Sequence, residues 1–108
     1  MITFIISKDQ KGTFTKLFKF LKQYNCEVCL FPEGMKWRNH EPENKMEGIF
    51  YSKGFIGYPA VHRQKIVNLS PEFKKIEKEA DLPEQYRSNK YAGSIPPQNF
   101  LLKMNIKQ

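Results

Sequence analysis

Ile2-Thr3-Phe4-Ile5-Ile6, the run Thr13-Phe14-Thr15-Lys16-Leu17-Phe18-Lys19-Phe20-Leu21-Lys22-Gln23-Tyr24, and Cys26-Glu27-Val28-Cys29-Leu30-Phe31 together decide the fold class. The first piece is β-branched and aromatic, the composition of a buried strand. Ser7 to Gly12 is polar and turn-like. Phe14, Leu17, Phe18, Leu21 and Tyr24 then recur at i, i+3, i+4, i+7 and i+10, one stripe of an amphipathic helix over 13–24. Thr13 suits its N-cap and Asn25 its left-handed C-cap. Lys16, Lys19 and Lys22 fall off the stripe and face solvent. From Cys26 the apolar period changes to two, because Cys26, Val28 and Leu30 alternate with Glu27, Cys29 and Phe31, so a second strand follows.

Outward from this strand–helix–strand start, Pro32-Glu33-Gly34 ends the second strand. Residues 35–47 are mostly polar, with Trp37 their one large aromatic member, and read as a long loop. Gly48–Tyr51 and Phe55–Tyr58 flank Ser52-Lys53-Gly54, a hairpin with Gly54 supplying a positive φ, or else one unbroken strand. Val61–Leu69 holds a further extended candidate, strongest at Lys65-Ile66-Val67. Ser70-Pro71-Glu72 carries the signals of a helix start, with Phe73, Ile76 and Ala80 as its apolar face and Pro83 as its stop. Residues 83–99 read as a loop, and Phe100, Leu102, Met104 and Ile106 alternate as a last strand.

The expectation is one α+β domain over residues 1–108. Two helices pack on one face of a mainly antiparallel sheet of four to six strands. With an unbroken middle strand the order becomes βαββαβ, the ferredoxin-like pattern. The chain has 108 residues, 28 of them Leu, Ile, Val or Phe, enough for one core and too few residues for a multidomain enzyme. No apolar run approaches the ~20 residues that span a bilayer, and the N-terminus lacks the basic region and cleavage site of a signal peptide. Two cysteines are fewer than a disulfide-stapled secreted domain of this size carries, so a cytoplasmic setting is expected.

The net charge is +7, and it sits in blocks. Residues 1–25 carry +4, 26–47 carry −2, 48–66 carry +3 with no acid, 67–84 carry −2 and 85–108 carry +4. The fold determines whether the three basic blocks share a face.

Cys26-x-x-Cys29 has chelate spacing, yet His40 and His62 lie 22 residues apart and a strand would turn the two thiols to opposite faces. Small residues filling a strand is the better reading, and no metal is expected. Trp37-Arg38-Asn39-His40-Glu41 places a histidine beside a carboxylate, as a general base would need, but a polar loop pinned by Trp37 accounts for it equally simply. The six glycines are isolated, which excludes a Gly-rich phosphate loop, and no cofactor is expected. Catalysis is therefore the minority reading.

The basic-aromatic segment carries most of the functional signal. Tyr51-x-Lys53-Gly54-Phe55-x-x-Tyr58 and His62-Arg63-x-Lys65 interleave rings with positive charge. Lys53, Arg63 and Lys65 would meet phosphates while Phe55 and Tyr58 stack on bases, preferably of RNA or single-stranded DNA. Lys53-Gly54-Phe55 resembles the opening of the RNA-recognition-motif signature over those three residues. Ile56, Gly57 and Pro59 depart from it, as does the placing of aromatics at Ile2-Thr3-Phe4, so no membership of that family is drawn. A core hairpin with a solvated lysine turn is the competing reading of the same residues.

The alternative function is a protein-binding module, such as an inhibitor encoded by a phage or mobile element that acts on a host nucleic-acid-processing or defence enzyme. Its contacts would be Trp37 and Arg38 in the 35–47 loop and Tyr86, Arg87 and Tyr91 in the later loop.

Overall fold

The computed structural model describes residues 1–87 and 98–107. One α-helix packs against a six-stranded antiparallel sheet. In chain order the elements are β1 (Ile2–Ser7), α1 (Lys8–Gln23), β2 (Glu27–Phe31), β3 (Gly34–Arg38), β4 (Glu47–Tyr51), β5 (Gln64–Lys75) and β6 (Asn99–Ile106). Across the sheet the order is β1-β6-β5-β2-β3-β4. No described helix is long and apolar enough to cross a membrane.

β1 runs into α1 without a loop. Ser7 is the N-cap, and its N–H is held at 3.3 Å by the Gln10 side-chain oxygen. The helix therefore starts five residues before the predicted Thr13, because Lys8–Gly12 are taken into its first turns. It ends as expected, with Asn25 at φ 54°. Phe14, Phe18 and Leu21 are buried against Ile2, Phe4, Ile6, Val28, Leu30, Leu102 and Met104. Each large side chain so buried contributes roughly 1.5–3 kcal/mol.

The 35–47 stretch corrects the loop reading. Gly34–Arg38 is β3, paired with β2 through Phe31↔Gly34 and with β4 through Gly34↔Tyr51. Gly34 lies at φ 153°, and a Cβ there would meet the Phe50 carbonyl and come within 2.9 Å of Tyr51 Cα. The remaining loop is short. Asn39 ties it off by donating to the Asn44 carbonyl at 2.6 Å and accepting the Met46 N–H at 2.8 Å.

The predicted hairpin around Ser52-Lys53-Gly54 does not form. These residues make a 3₁₀ turn, after which the chain crosses to the far edge of the sheet and bridges Ile5 with Gly57. Burial drives the crossing: Phe55 stacks on Phe4 at 5.1 Å and packs against Phe14 and Phe50 at 5.3 and 5.2 Å.

The second predicted helix is also replaced, since Ser70-Pro71-Glu72 lies inside the twelve-residue strand β5. Pairing with β6 over Glu72↔Lys103 to Lys75↔Phe100 outweighs the local capping signal. Pro71 is accommodated where the register shifts between Asn68 and Glu72. The order is thus strand, helix and five strands, with one α-helix among the described residues, in place of the βαββαβ pattern.

A second, smaller core lies on the other face of the sheet, where Ile5 and Leu101 pack with Ile76, Leu82 and Tyr86. The Tyr86 hydroxyl fixes this cover by donating to the Thr3 carbonyl at 3.0 Å. The helix thus covers one face, and the 76–86 segment covers the β1–β6 end of the other.

Candidate functional site

Strand alternation puts Val28 and Leu30 in the helix-side core and turns Glu27, Cys29 and Phe31 to the opposite face. The partners in register extend that face: Lys65 beside Cys29 on β5, Lys36 and Arg38 on β3, and Ile49 and Tyr51 on β4. Arg63, just before β5, completes it. The result is an open groove of about 730 Å³ whose lining includes Cys29, Phe31, Lys36, Arg38, Tyr51 and Arg63.

Phe31 lines it, with Lys36 Nζ 4.5 Å and the Arg63 guanidinium 5.8 Å from the ring centroid. Tyr51 is 56% exposed, and Lys53 Nζ lies 5.8 Å from its ring. Four cations, Lys36, Arg38, Arg63 and Lys65, and two rings therefore share one face, with Lys53 flanking it beside Tyr51. Glu33 and Glu47 stand at its rim, and Glu27 is engaged by its neighbours.

Glu27 accepts from His40 Nε2 at 3.0 Å and from the Cys29 thiol at 3.5 Å, and pairs with Lys65 at 3.7 Å. Burial pushes its carboxyl up, but the Cys29 hydrogen bond, Lys65, His40 and Arg38 together hold it below the usual range. Burial and the same carboxylate push the Cys29 thiol up against the pull of Arg63 and Lys65. Cys29 is thus a protonated hydrogen-bond donor and not an activated nucleophile. Histidine and thiol each bond to the carboxylate and not to one another, the wrong connectivity for a Cys–His pair. Cys26 is buried on the helix side, so the two free cysteines lie on opposite faces, and no metal-ligating cluster occurs among the described residues.

The structure divides the residues expected to bind nucleic acid. Arg63 and Lys65 lie on the open face, and Lys53 flanks it beside Tyr51. Phe55 is 8% exposed and belongs to the helix-side core, so a role in stacking has no free ring face to draw on. Tyr58 is half-buried against Phe4 and Phe55, its hydroxyl donating to the Phe31 carbonyl at 2.6 Å. Burial pushes the Tyr58 phenol up to about 12.

The residues expected to touch protein are also separated. Trp37 packs on the helix side against Phe20, over the space that Gly48 leaves for want of a Cβ. Arg38 is exposed on the open face. Tyr86 belongs to the small core, and Arg87 donates to the carbonyls of Leu82 and Ala80. Tyr91 lies outside the described residues.

Sequence reading missed Phe31 and Lys36. The alternation of β2 marks Phe31, since Val28 and Leu30 claim the core. Lys36 was hidden by taking 35–47 as loop. Comparison with protein-family models, curated proteins and solved structures returned no match for this chain.

Proposed function

We propose that the chain binds nucleic acid, preferably RNA or single-stranded DNA, on the open face of its sheet. The observation that carries this reading is the shared face of Phe31 and Tyr51 with Lys36, Arg38, Arg63 and Lys65, flanked by Lys53. Flexible single strands lay bases on sheet-borne rings while basic side chains track the phosphates. The roles move from those read in the sequence: Phe31 and Tyr51 stack in place of Phe55 and Tyr58, and Lys36 and Arg38 join Lys53, Arg63 and Lys65 at the phosphates. Two free thiols and no disulfide fit a cytoplasmic setting.

Binding of a labelled oligonucleotide at micromolar protein, followed by anisotropy across a salt series, tests the reading. With about four phosphates engaged, log K falls against log salt with a slope near −3 for a single strand. Tyr51→Ala weakens binding by about 1–3 kcal/mol if its ring carries a base. Absence of any salt-dependent binding would overturn the proposal. The protein-binding alternative has less behind it, because Trp37 and Tyr86 are engaged in packing.

A further inference from the structure

The two edges of the sheet differ. β1 is closed off: its Ile5 N–H donates to the Gly57 carbonyl at 2.9 Å, and its carbonyl accepts from Ile56 and Gly57 at 2.9 and 3.1 Å. β4 pairs with β3 alone among the described strands. The ladder between them is pinned at its ends by Ser52 N–H to the Glu33 carbonyl at 2.8 Å and Asn39 N–H to the Met46 carbonyl at 3.0 Å.

Antiparallel ladders bond through alternate residues. From those two ends, Gly48 and Phe50 direct their backbone groups to β3. Glu47 and Ile49 direct theirs outward, as does the Tyr51 N–H. Beyond short length and charge, of which β4 has five residues and Glu47, natural edge strands are blunted by lysine, proline or a bulge. Glu47-Gly48-Ile49-Phe50-Tyr51 has none of these.

We propose that β4 is a self-pairing edge, through which two copies of this chain join antiparallel about a two-fold axis at Ile49. The strand is self-complementary in that register. Ile49 faces Ile49 of the second copy, and each exchanges both backbone bonds with the other. Glu47 faces Tyr51, so each outward Tyr51 N–H donates to the second copy's Glu47 carbonyl. The same register brings each Glu47 carboxylate to the end of β4 where Lys53 Nζ lies 5.8 Å from the Tyr51 ring, an opposite-charge contact made twice. The pairing also joins the two open faces into one surface carrying Lys36, Arg38, Arg63 and Lys65 from both copies. It depends on backbone and charge at the edge, so it stands whether or not that surface binds nucleic acid.

Sedimentation of the full chain, freed of nucleic acid by a high-salt wash, tests the proposal. A concentration-dependent monomer–dimer equilibrium is expected. Ile49→Lys weakens it at least about tenfold. Glu47→Lys weakens it through the lost charge contact, and adding Lys53→Glu to Glu47→Lys restores it. Circular dichroism melts confirm that each variant is folded. Amide exchange gives a residue-level readout: Glu47, Ile49 and Tyr51 gain protection with concentration while Gly48 and Phe50, already bonded to β3, do not change. A chain that stays monomeric up to about 1 mM overturns the proposal. So does a dimer indifferent to Ile49→Lys, a double variant no tighter than Glu47→Lys, or protection without the alternating pattern.

Discussion

Tyr58 links the two sides of the sheet. Its ring packs on Phe4 and Phe55 in the helix-side core, and its hydroxyl holds the Phe31 carbonyl at 2.6 Å, at the end of the strand that presents the Phe31 ring. Burial raises its ionisation from the ordinary 10.0 to about 12. The neutral phenol is favoured in the fold, so its contribution is complete below pH 10 and is lost as pH rises through about 12. Comparing urea unfolding of the wild type and Tyr58→Phe isolates this loss from every other source of pH dependence. The variant is less stable by about 1–3 kcal/mol at pH 7, since the Phe31 carbonyl loses its donor. The difference shrinks above pH 10. A difference constant to pH 12 would count against the buried phenol.

The β2–β3 hairpin is the element that builds the open face, because it brings Phe31 against Lys36, and Arg63, just before β5, joins them. Its turn depends on Gly34, whose φ of 153° and contact with Phe50 and Tyr51 leave no room for a side chain. Gly34→Ala is expected to cost about 1–3 kcal/mol from backbone strain alone, and more from the collision with β4. Denaturant unfolding measures it, and an unchanged midpoint would contradict the close approach of the strands. Proline at position 33's neighbour, Pro32, marked the turn in the sequence, but β3 was not legible. Lys36 and Arg38 look solvated in a one-dimensional reading, and only pairing on both sides makes the segment a strand. The same competition decided Ser70-Pro71-Glu72. Its helix-start chemistry is a local preference of about 1 kcal/mol per cap, whereas β5 gains a ladder with β6 and leads Ile76, the next residue, into the smaller core.

At the scale of the molecule the sheet sorts the charge. Lys8, Lys11, Lys16, Lys19 and Lys22 ride on the helix, on one side of the sheet, while Arg63 and Lys65 lie on the other with Lys36 and Arg38. Arg63 and Lys65 of the middle basic block therefore do not share a face with the helix lysines, and the positive surface they form recruits two residues from a block that is net acidic. Two double variants separate the sides at equal charge. Lys36→Ala with Arg63→Ala is expected to weaken oligonucleotide binding and reduce the magnitude of the salt slope by about 1.4. Lys16→Ala with Lys19→Ala leaves the slope within error. The reverse ranking would place the binding surface on the helix.

The sequence by itself determined β1, the helix and its left-handed end at Asn25, β2 and β6, since each is written in a local apolar period that a packed face must satisfy. It also determined the +7 charge and the aromatic supply. Only the tertiary structure decided which rings are available. In the chain Phe55 stands two residues from Lys53 while Phe31 is flanked by Leu30 and Pro32, but Phe55 is drawn under the helix by Phe4, Phe14 and Phe50. Phe31 is turned outward by the two-residue period that buries Val28 and Leu30. The burial of Phe55, unlike the outward turn of Phe31, is settled by contacts with residues far apart in sequence, and no local pattern carries that information.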